Sequence, residues 1–414
     1  MSEKFRLDKG GLINRNKKIS FKFNGKKYFG YEGDTLASAL IANGVHLVGR
    51  SFKYHRPRGF FGAGVDEPYA IVQMNRNNEV DPNVRATEQE LFEGLEAKSV
   101  NCWPNVDFDI GAINNFLNIF FPAGFYYKTF MWPKSFWYKV YEPIIRKAAG
   151  FGAASIKHDK ERYEHKYEYC DLLITGSGPS GLASAYAAAQ NGAKVILAED
   201  KPRFGGSLLT SDETIGNQSG KEWAEKIISE LKSMSNVIVK NGSQVFGYYD
   251  HNMLVMSERV SDHLPKTEKY TPKQRLWYIR AKEVVISSGS IERPLVFGNN
   301  DTPGVMLSSA AKEYLKVYGV LVGKKPIIFT NNDSGYETAI EFKKNGVDPI
   351  VLDTRKDTNS EIIKEAKELN INIKFSYVVV AAKGYKKVNS ADIAKISDDK
   401  KNIGSIENIK CDCI

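Results

Sequence analysis

The run LLITGSGPSG at 172–181, followed by an alanine-rich stretch, constrains this chain more than any other feature. A short apolar strand that ends in Gly-x-Gly-x-x-Gly and enters a helix is the start of a βαβ nucleotide-binding unit. Gly176 permits the tight turn out of the strand, and Gly178 removes a Cβ that would block a pyrophosphate. Gly181 lets the helix pack close to the sheet. The helix N-terminus, entered through Pro179 and Ser180, offers unpaired N–H groups and a positive dipole end to a diphosphate. A second strand at 194–198 ends in Glu199 and Asp200. An acid there accepts hydrogen bonds from a ribose 2′-hydroxyl and repels a 2′-phosphate, so NAD or FAD is expected over NADP. A lone GxGxxG is weak evidence, but here strand, helix, acid and a later Gly205-Gly206 doublet fall in register.

Residues 19–33 alternate apolar and polar around Asn24-Gly25, the signature of a β-hairpin with a type I′ turn. Asp34 or Thr35 can cap a helix bearing Leu36, Ala39 and Leu40, and 45–48 reads as the next strand. Hairpin then helix is how ferredoxin-like β-grasp domains begin. In a plant-type ferredoxin the following loop carries clustered cysteines for a [2Fe–2S] cluster. Here 49–59 reads GRSFKYHRPRG, and no cysteine precedes Cys102, so no Fe–S cluster is expected. The four cations of that loop, beside Phe52 and Tyr54, fit contact with an anionic cofactor or a partner chain slightly better than a solvated loop.

A connector follows. Residues 88–95 suit a short helix, 116–133 crowd many aromatic rings, and 158–169 read as charged and helical. The rings are expected to clamp the first domain onto the second, with a subunit contact as the sharper reading. The uncharged run 110–127 contains three asparagines and a proline, which makes it a poor membrane span and a better buried connector.

Beyond the glycine loop, a helix at 222–234 and strands at 237–240, 243–250 and 280–287 continue the unit. The last strand closes in Ser288-Gly289-Ser290, as two-dinucleotide-domain flavoproteins close their first nucleotide site. After a helix at 308–318, a second βαβ unit spans about 322–400. Of its phosphate-loop glycines only Gly335 survives, and Asp333 would repel a diphosphate, so this unit reads as structural, or as a site for something other than a dinucleotide. The chain stops at Cys411-Asp412-Cys413-Ile414, where a strand should be returning, and is read as truncated with an unpaired sheet edge. The expected architecture is α+β then α/β. A cluster-free ferredoxin-like β-grasp domain (1–100) and an aromatic helical connector (101–168) precede an incomplete FAD/NAD(P)-binding Rossmann-type domain (169–414).

A net charge of +9 raises nucleic acid as a partner, but no basic helix, zinc-finger spacing or compact arginine cluster accompanies it, so solvated lysines are the reading. Four scattered cysteines make no disulfide framework, and the first residues form no signal peptide, which points to the cytoplasm. His251 and His263 lie in polar stretches; no catalytic or metal-binding residue is assigned.

Six runs now carry a resemblance: GDTLASALIANGV (33–45), VGRSFKYHRPRG (48–59), PAGFYYKTFMWP (122–133), the glycine loop, NDTPGVML (300–307) and FTNNDSGYETA (329–339). In the same order they resemble the α subunits of heterotetrameric sarcosine oxidase. The resemblance implies a complex with β, γ and δ subunits that oxidises sarcosine with O₂ to glycine and hydrogen peroxide. The one-carbon unit leaves as formaldehyde or passes to tetrahydrofolate, at a folate site in a C-terminal half that this chain lacks. Amine oxidation would occur at FAD in the β subunit, FMN would lie at the α/β interface, and the α subunit would bind NAD. Carried over by motif, the NAD contacts are Gly176, Ser177, Gly178, Pro179, Ser180 and Gly181, then Glu199, Asp200 and Lys201. Gly206, Ser207, Val245 and Gly289 complete the set. Family members usually read Asp-Glu-Arg at the ribose, against Glu-Asp-Lys here. The residues alone lean to FAD, because an acid followed by Gly-Gly is common in flavin domains. An FAD-dependent amine or opine dehydrogenase subunit and a non-catalytic nucleotide-holding scaffold are the alternatives.

Overall fold

The Asn24-Gly25 pair, with φ of 51° and 76°, turns the chain between β1 (Asn14–Phe23) and β2 (Lys26–Glu32). Both residues need the left-handed region that type I′ turns require. Thr35 then caps α1 (Leu36–Ala42) in a reciprocal box: its hydroxyl accepts from the Ser38 N–H, and the Ser38 hydroxyl accepts from the Thr35 N–H. Every residue of α1 is buried. The short β3 (Gly49–Arg50) and β4 (Pro57–Arg58) pair around the basic loop. β5 (Ile71–Arg76), β6 (Glu79–Arg85) and β7 (Glu96–Ser99) complete a five-stranded sheet of order β2-β1-β7-β5-β6. Its β1–β7 pair is parallel and the others antiparallel, as a β-grasp domain requires.

A computed structural model describes residues 3–76, 79–121, 124, 130–148, 150, 152–264, 268, 270–397, 399 and 401–414. The chain divides into two compact units, Met1–Lys157 with Glu292–Ile414, and His158–Ile291.

The second unit holds the glycine loop. β8 (Tyr163–Thr175), α4 (Pro179–Gln190), β9 (Val195–Ala198) and the small hairpin β10 (Thr214–Ile215) and β11 (Gln218–Ser219) come first. α5 (Gly220–Ser233), β12 (Val237–Lys240), β13 (Ser243–Tyr249), β14 (Met253–Arg259) and β15 (Gln274–Ile286) follow. The sheet order is β12-β9-β8-β15-β14-β13, parallel across its first four strands and antiparallel across the rest. α4 and α5 pack on one face around Leu182, Leu197, Ile227 and Leu231. Residues 163–169, expected to be helical, are strand: tyrosine and histidine at 163, 165, 167 and 169 alternate with Glu164, Lys166 and Glu168, the period of two that a ladder imposes. Residues 88–95 form turns and not the expected helix.

In the first unit, α6 (Ser308–Tyr318), β16 (Ile327–Thr330), α7 (Ser334–Lys344), β17 (Ile350–Asp353), α8 (Glu361–Glu368) and β18 (Asn372–Phe375) build the second βαβ unit. The antiparallel β19 (Tyr377–Gly384), β20 (Val388–Lys395) and β21 (Glu407–Ile409) follow. β16, β17 and β18 are parallel. The edge expected to be unpaired is covered: Cys413 bridges Pro326 in parallel, and the Ile327 N–H donates to the Cys413 carbonyl at 3.0 Å. Cys413 thus stands beside β16 where β15 stands beside β8 in the other unit.

Two further expectations fail for physical reasons. The basic loop contacts its own chain. The Arg50 guanidinium donates to the Val106 and His55 carbonyls and to the Tyr385 hydroxyl, and Arg56 and Arg58 both reach Asp301. The aromatic connector is not buried either. Phe116 and Trp132 are 82% and 83% exposed, and Trp103, Phe108, Ile119, Tyr138 and Ile144 are also exposed. The short helices α2 (Ile113–Phe116) and α3 (Glu142–Ala148) offer too little surface to cover the apolar side chains of this stretch. Residues 122–123 and 125–129 of that run lie outside the described residues.

Asp301 accepts from Arg56 at 2.6 and 2.7 Å and from Arg58 at 2.6 Å. Burial pushes its carboxyl up, but the hydrogen bonds and charges of the two arginines outweigh that and hold it below the usual carboxylate range. A depressed carboxylate contributes stability above its unfolded value that is lost as pH falls through the folded one. Asp301→Asn is therefore expected to cost about 2 kcal/mol in urea unfolding at neutral pH, with the gap to wild type closing below about pH 4.

Candidate functional site

Gly176 leaves β8 at φ 95°, and its N–H donates to the Ala198 carbonyl at 2.7 Å, so the turn starts from the sheet itself. A Cβ on Gly176 would lie 2.4 Å from the Ser287 carbonyl oxygen, and one on Gly181 would lie 2.0 Å from the Gly176 carbonyl oxygen. Both positions are closed to any side chain. Gly178 is the opposite: its φ of −66° suits any residue, and a Cβ there meets nothing within 4 Å. The loop is packed shut on its protein side and open on the other. Pro179 occupies the first turn of α4, where its missing N–H costs nothing, and Ser180 is exposed.

Ser177 is fully buried and ties the loop to the end of β9. Its N–H and hydroxyl donate to one oxygen of Glu199 at 2.8 and 2.5 Å, while the Lys201 N–H donates to the other at 3.0 Å. Burial and the adjoining Asp200 raise the Glu199 carboxyl, the Ser177 and Lys201 donors oppose them, and the balance stands at about 7. The acid read from sequence as a ribose acceptor thus also braces the glycine loop from within. The Asp200 carbonyl accepts from Arg259 at 2.9 Å. The Ser243 N–H donates to the Glu199 carbonyl at 2.7 Å, which brings the strand bearing Val245 to the acid pair. A Cβ on Gly206 would lie 2.9 Å from the Gly178 α-carbon, so the Gly205-Gly206 doublet rests on the loop, and Ser207 beside it is exposed. Gly289 lies in the turn after β15, next to the Ser287 that contacts Gly176.

All thirteen sequence-derived positions fall in one unit. The Ser177 hydroxyl and Arg259 were not legible beforehand, because each acts through a fold contact with no local pattern.

The second βαβ loop differs. Asp333 is held by Arg355 at 2.8 Å, and the same guanidinium bonds Asp353, which also accepts from the Tyr336 hydroxyl. An ion pair sits where a phosphate loop keeps its amides free. Among the described residues no group of His, Cys, Asp and Glu is arranged to hold a metal ion, and no helix is long and apolar enough to cross a membrane.

Residues 170–414 match the family described as pyridine nucleotide-disulphide oxidoreductase. The chain belongs to that family. Residues 16–102 match a 2Fe-2S iron-sulfur cluster binding domain, whose segment here contains Cys102 as its one cysteine, too few thiolates for the four a cluster needs. The expected order of a ferredoxin-like domain and a Rossmann-type oxidoreductase domain therefore holds. The resemblance to sarcosine oxidase α subunits also holds. The sarcosine oxidase subunit alpha of Rhizobium meliloti (strain 1021) is 47% identical over 390 residues, covering 94% of this chain and 39% of the relative. That of Corynebacterium sp. (strain U-96) is 28% identical over 410 residues, 98% of this chain and 38% of the relative. The chain thus spans about two fifths of the length of these relatives. The crystal structure of L-proline dehydrogenase from P. horikoshii superposes with a TM-score of 0.59 at 19% identity, over 100% of this chain and 61% of that one, a likeness of fold.

Glu199 generates a pH test. Its carboxyl titrates near 7 in the fold against about 4.3 unfolded, so the stability it lends is full below the lower value and lost as pH rises through the higher. Between about pH 5 and 8 the thermal midpoint of the wild type should fall relative to Glu199→Gln. Parallel midpoints across that range would contradict the assignment.

Proposed function

We propose that this chain is the dinucleotide-binding portion of a sarcosine oxidase α subunit, with NAD in the loop 176–181. The opening over Gly178, between two glycines that are packed shut, carries this reading: only the position a diphosphate must approach is left clear. The loop amides and the N-terminus of α4 would hold the diphosphate. Glu199, Asp200 and Lys201 would face the adenosine ribose, and Gly206, Ser207, Val245 and Gly289 would line the remainder. When bound, NAD supplies a hydride-accepting nicotinamide; this chain's residues bind and orient it.

Amine oxidation belongs on a partner chain, with FAD in a β subunit, FMN at the interface with it, and γ and δ subunits completing a cytoplasmic heterotetramer. Sarcosine, O₂ and tetrahydrofolate are the proposed substrates of that assembly. The exposed rings between Trp103 and Ile144 support a docked partner, since soluble chains seldom leave so many large apolar side chains uncovered. A flavin in the same loop is the second reading, favoured by Gly206 resting on Gly178 behind an acidic strand end.

Two substitutions separate a nucleotide site from a turn kept for packing. Gly178→Ala should cost under about 1 kcal/mol in stability yet weaken nucleotide retention about tenfold or more. Gly181→Ala should cost about 3 kcal/mol by collision with the Gly176 carbonyl. Nucleotide released on denaturation and weighed by mass spectrometry identifies the ligand: NAD supports the proposal, and a flavin from this chain alone replaces it with the second reading.

A further inference from the structure

The N-terminal domain carries the outline of a cluster loop filled by something else. Plant-type cluster loops space their ligands as Cys-x₄-Cys-x₂-Cys with a distant fourth cysteine. Phe61, Asp66 and Tyr69 stand at that spacing, and Cys102 follows at a distance. The sheet supports the correspondence. β5 and β7 pair antiparallel with Val72 opposite Ser99 and Gln73 opposite Lys98, a register that, continued outward, sets position 69 opposite 102. A Cβ on Gly49 would lie 3.9 Å from both the Tyr69 and the Val100 carbonyl oxygens, so the two segments border one spot. The cluster-loop position therefore falls at 61–70, one loop beyond the basic loop 49–59.

At the centre of 61–70 lies Glu67, 1% exposed. One carboxylate oxygen accepts from the Phe61 and Gly62 N–H groups at 2.6 and 2.8 Å, the other from the Tyr69 and Ala70 N–H groups at 2.6 and 2.9 Å. These four amides flank the first and third template positions. Iron–sulfur clusters are anionic and are steadied by hydrogen bonds to their sulfurs, and convergent backbone amides are a general anion cradle. The Phe61 and Tyr69 rings meet edge to face at 5.6 Å, and the loop is pinned by Leu307 N–H to the Phe61 carbonyl and the Tyr314 hydroxyl to the Gly62 carbonyl.

We propose that residues 61–70 are a cluster-ligand loop converted to a metal-free one, in which the Glu67 carboxylate takes the place of the cluster as the anion that gathers the loop amides. The domain so keeps the shape of a ferredoxin-like module, and its surface toward α6, with no iron. Cys102 remains at the fourth position with its thiol pushed up to about 11, chiefly by burial.

Hydrogen exchange on the full chain tests the clasp. The amides of Phe61, Gly62, Tyr69 and Ala70 should be the slowest of 59–70 in the wild type. In Glu67→Gln they should exchange about tenfold faster or more, the size of a lost charged hydrogen bond. A second variant tests the correspondence without relying on that one. Phe61→Cys/Asp66→Cys/Tyr69→Cys, reconstituted with iron and sulfide, should gain the visible charge-transfer absorption of a [2Fe–2S] centre only when Glu67 is also replaced by glycine. A centre formed with Glu67 in place, or in the wild type, overturns the proposal. So does its failure in the quadruple variant, or exchange at the four amides that Glu67→Gln leaves unchanged.

Discussion

The nucleotide unit depends on how closely two backbone segments meet: residue 181 stands so near the Gly176 carbonyl that a single methyl would collide with it. That contact draws the first turn of α4 onto the end of β8 and sets the direction of the loop between them. Ser177, in the middle of that loop, then faces inward, where Glu199 can take both its donors. Gly178 is left on the outer side with clear space above it. One steric constraint therefore settles which glycine is packed, which is open, and which acid reaches the loop.

The two βαβ units make the same argument from opposite sides. Both run three parallel strands in one order and add a fourth segment beside the first, β15 in one and Cys413 in the other. Where the first loop leaves clear space over Gly178, the second carries Asp333, neutralised by Arg355 and not by a ligand. A carboxylate at a helix N-terminus already satisfies the dipole that would attract a phosphate. The shared architecture fixes the position of a site, and one side chain decides whether an anion can use it.

The glycine loop, the hairpin turn at Asn24-Gly25, the Thr35 cap and the limits of α6 and β17 were legible in sequence, because each rests on contacts within a few residues. Residues 158–169 were misread because their charge content resembles a solvated helix, while the alternation of tyrosines with Glu164, Lys166 and Glu168 was the better guide. The basic loop was misread for a different reason. Its acceptor, Asp301, lies 243 residues beyond Arg58, and no local pattern announces such a partner. Glu67 is hidden in the same way: an acid pair, Asp66-Glu67, in a glycine-rich loop looks solvated until the fold turns four amides toward the second of them. The roles assigned to the nucleotide contacts came from resemblance, and the fold adds to them the bracing of the loop by Glu199.

Charge and exposure together indicate what kind of contact this chain can make. The arginines that would suit phosphate, Arg6, Arg50, Arg56 and Arg58, are engaged by Asp34, Val106, Asp301 and neighbouring carbonyls. The net +9 is therefore carried largely by lysines, many of them already in exposed ion pairs such as Lys17 with Glu32. Such a pair contributes at most about 1 kcal/mol, and less as salt rises. Covering one large apolar side chain contributes about 2–3 kcal/mol, and the connector between Trp103 and Ile144 displays several. On those magnitudes, burial of the connector outweighs the lysines in any association this surface makes, and a protein face is a better match to it than a polyanion.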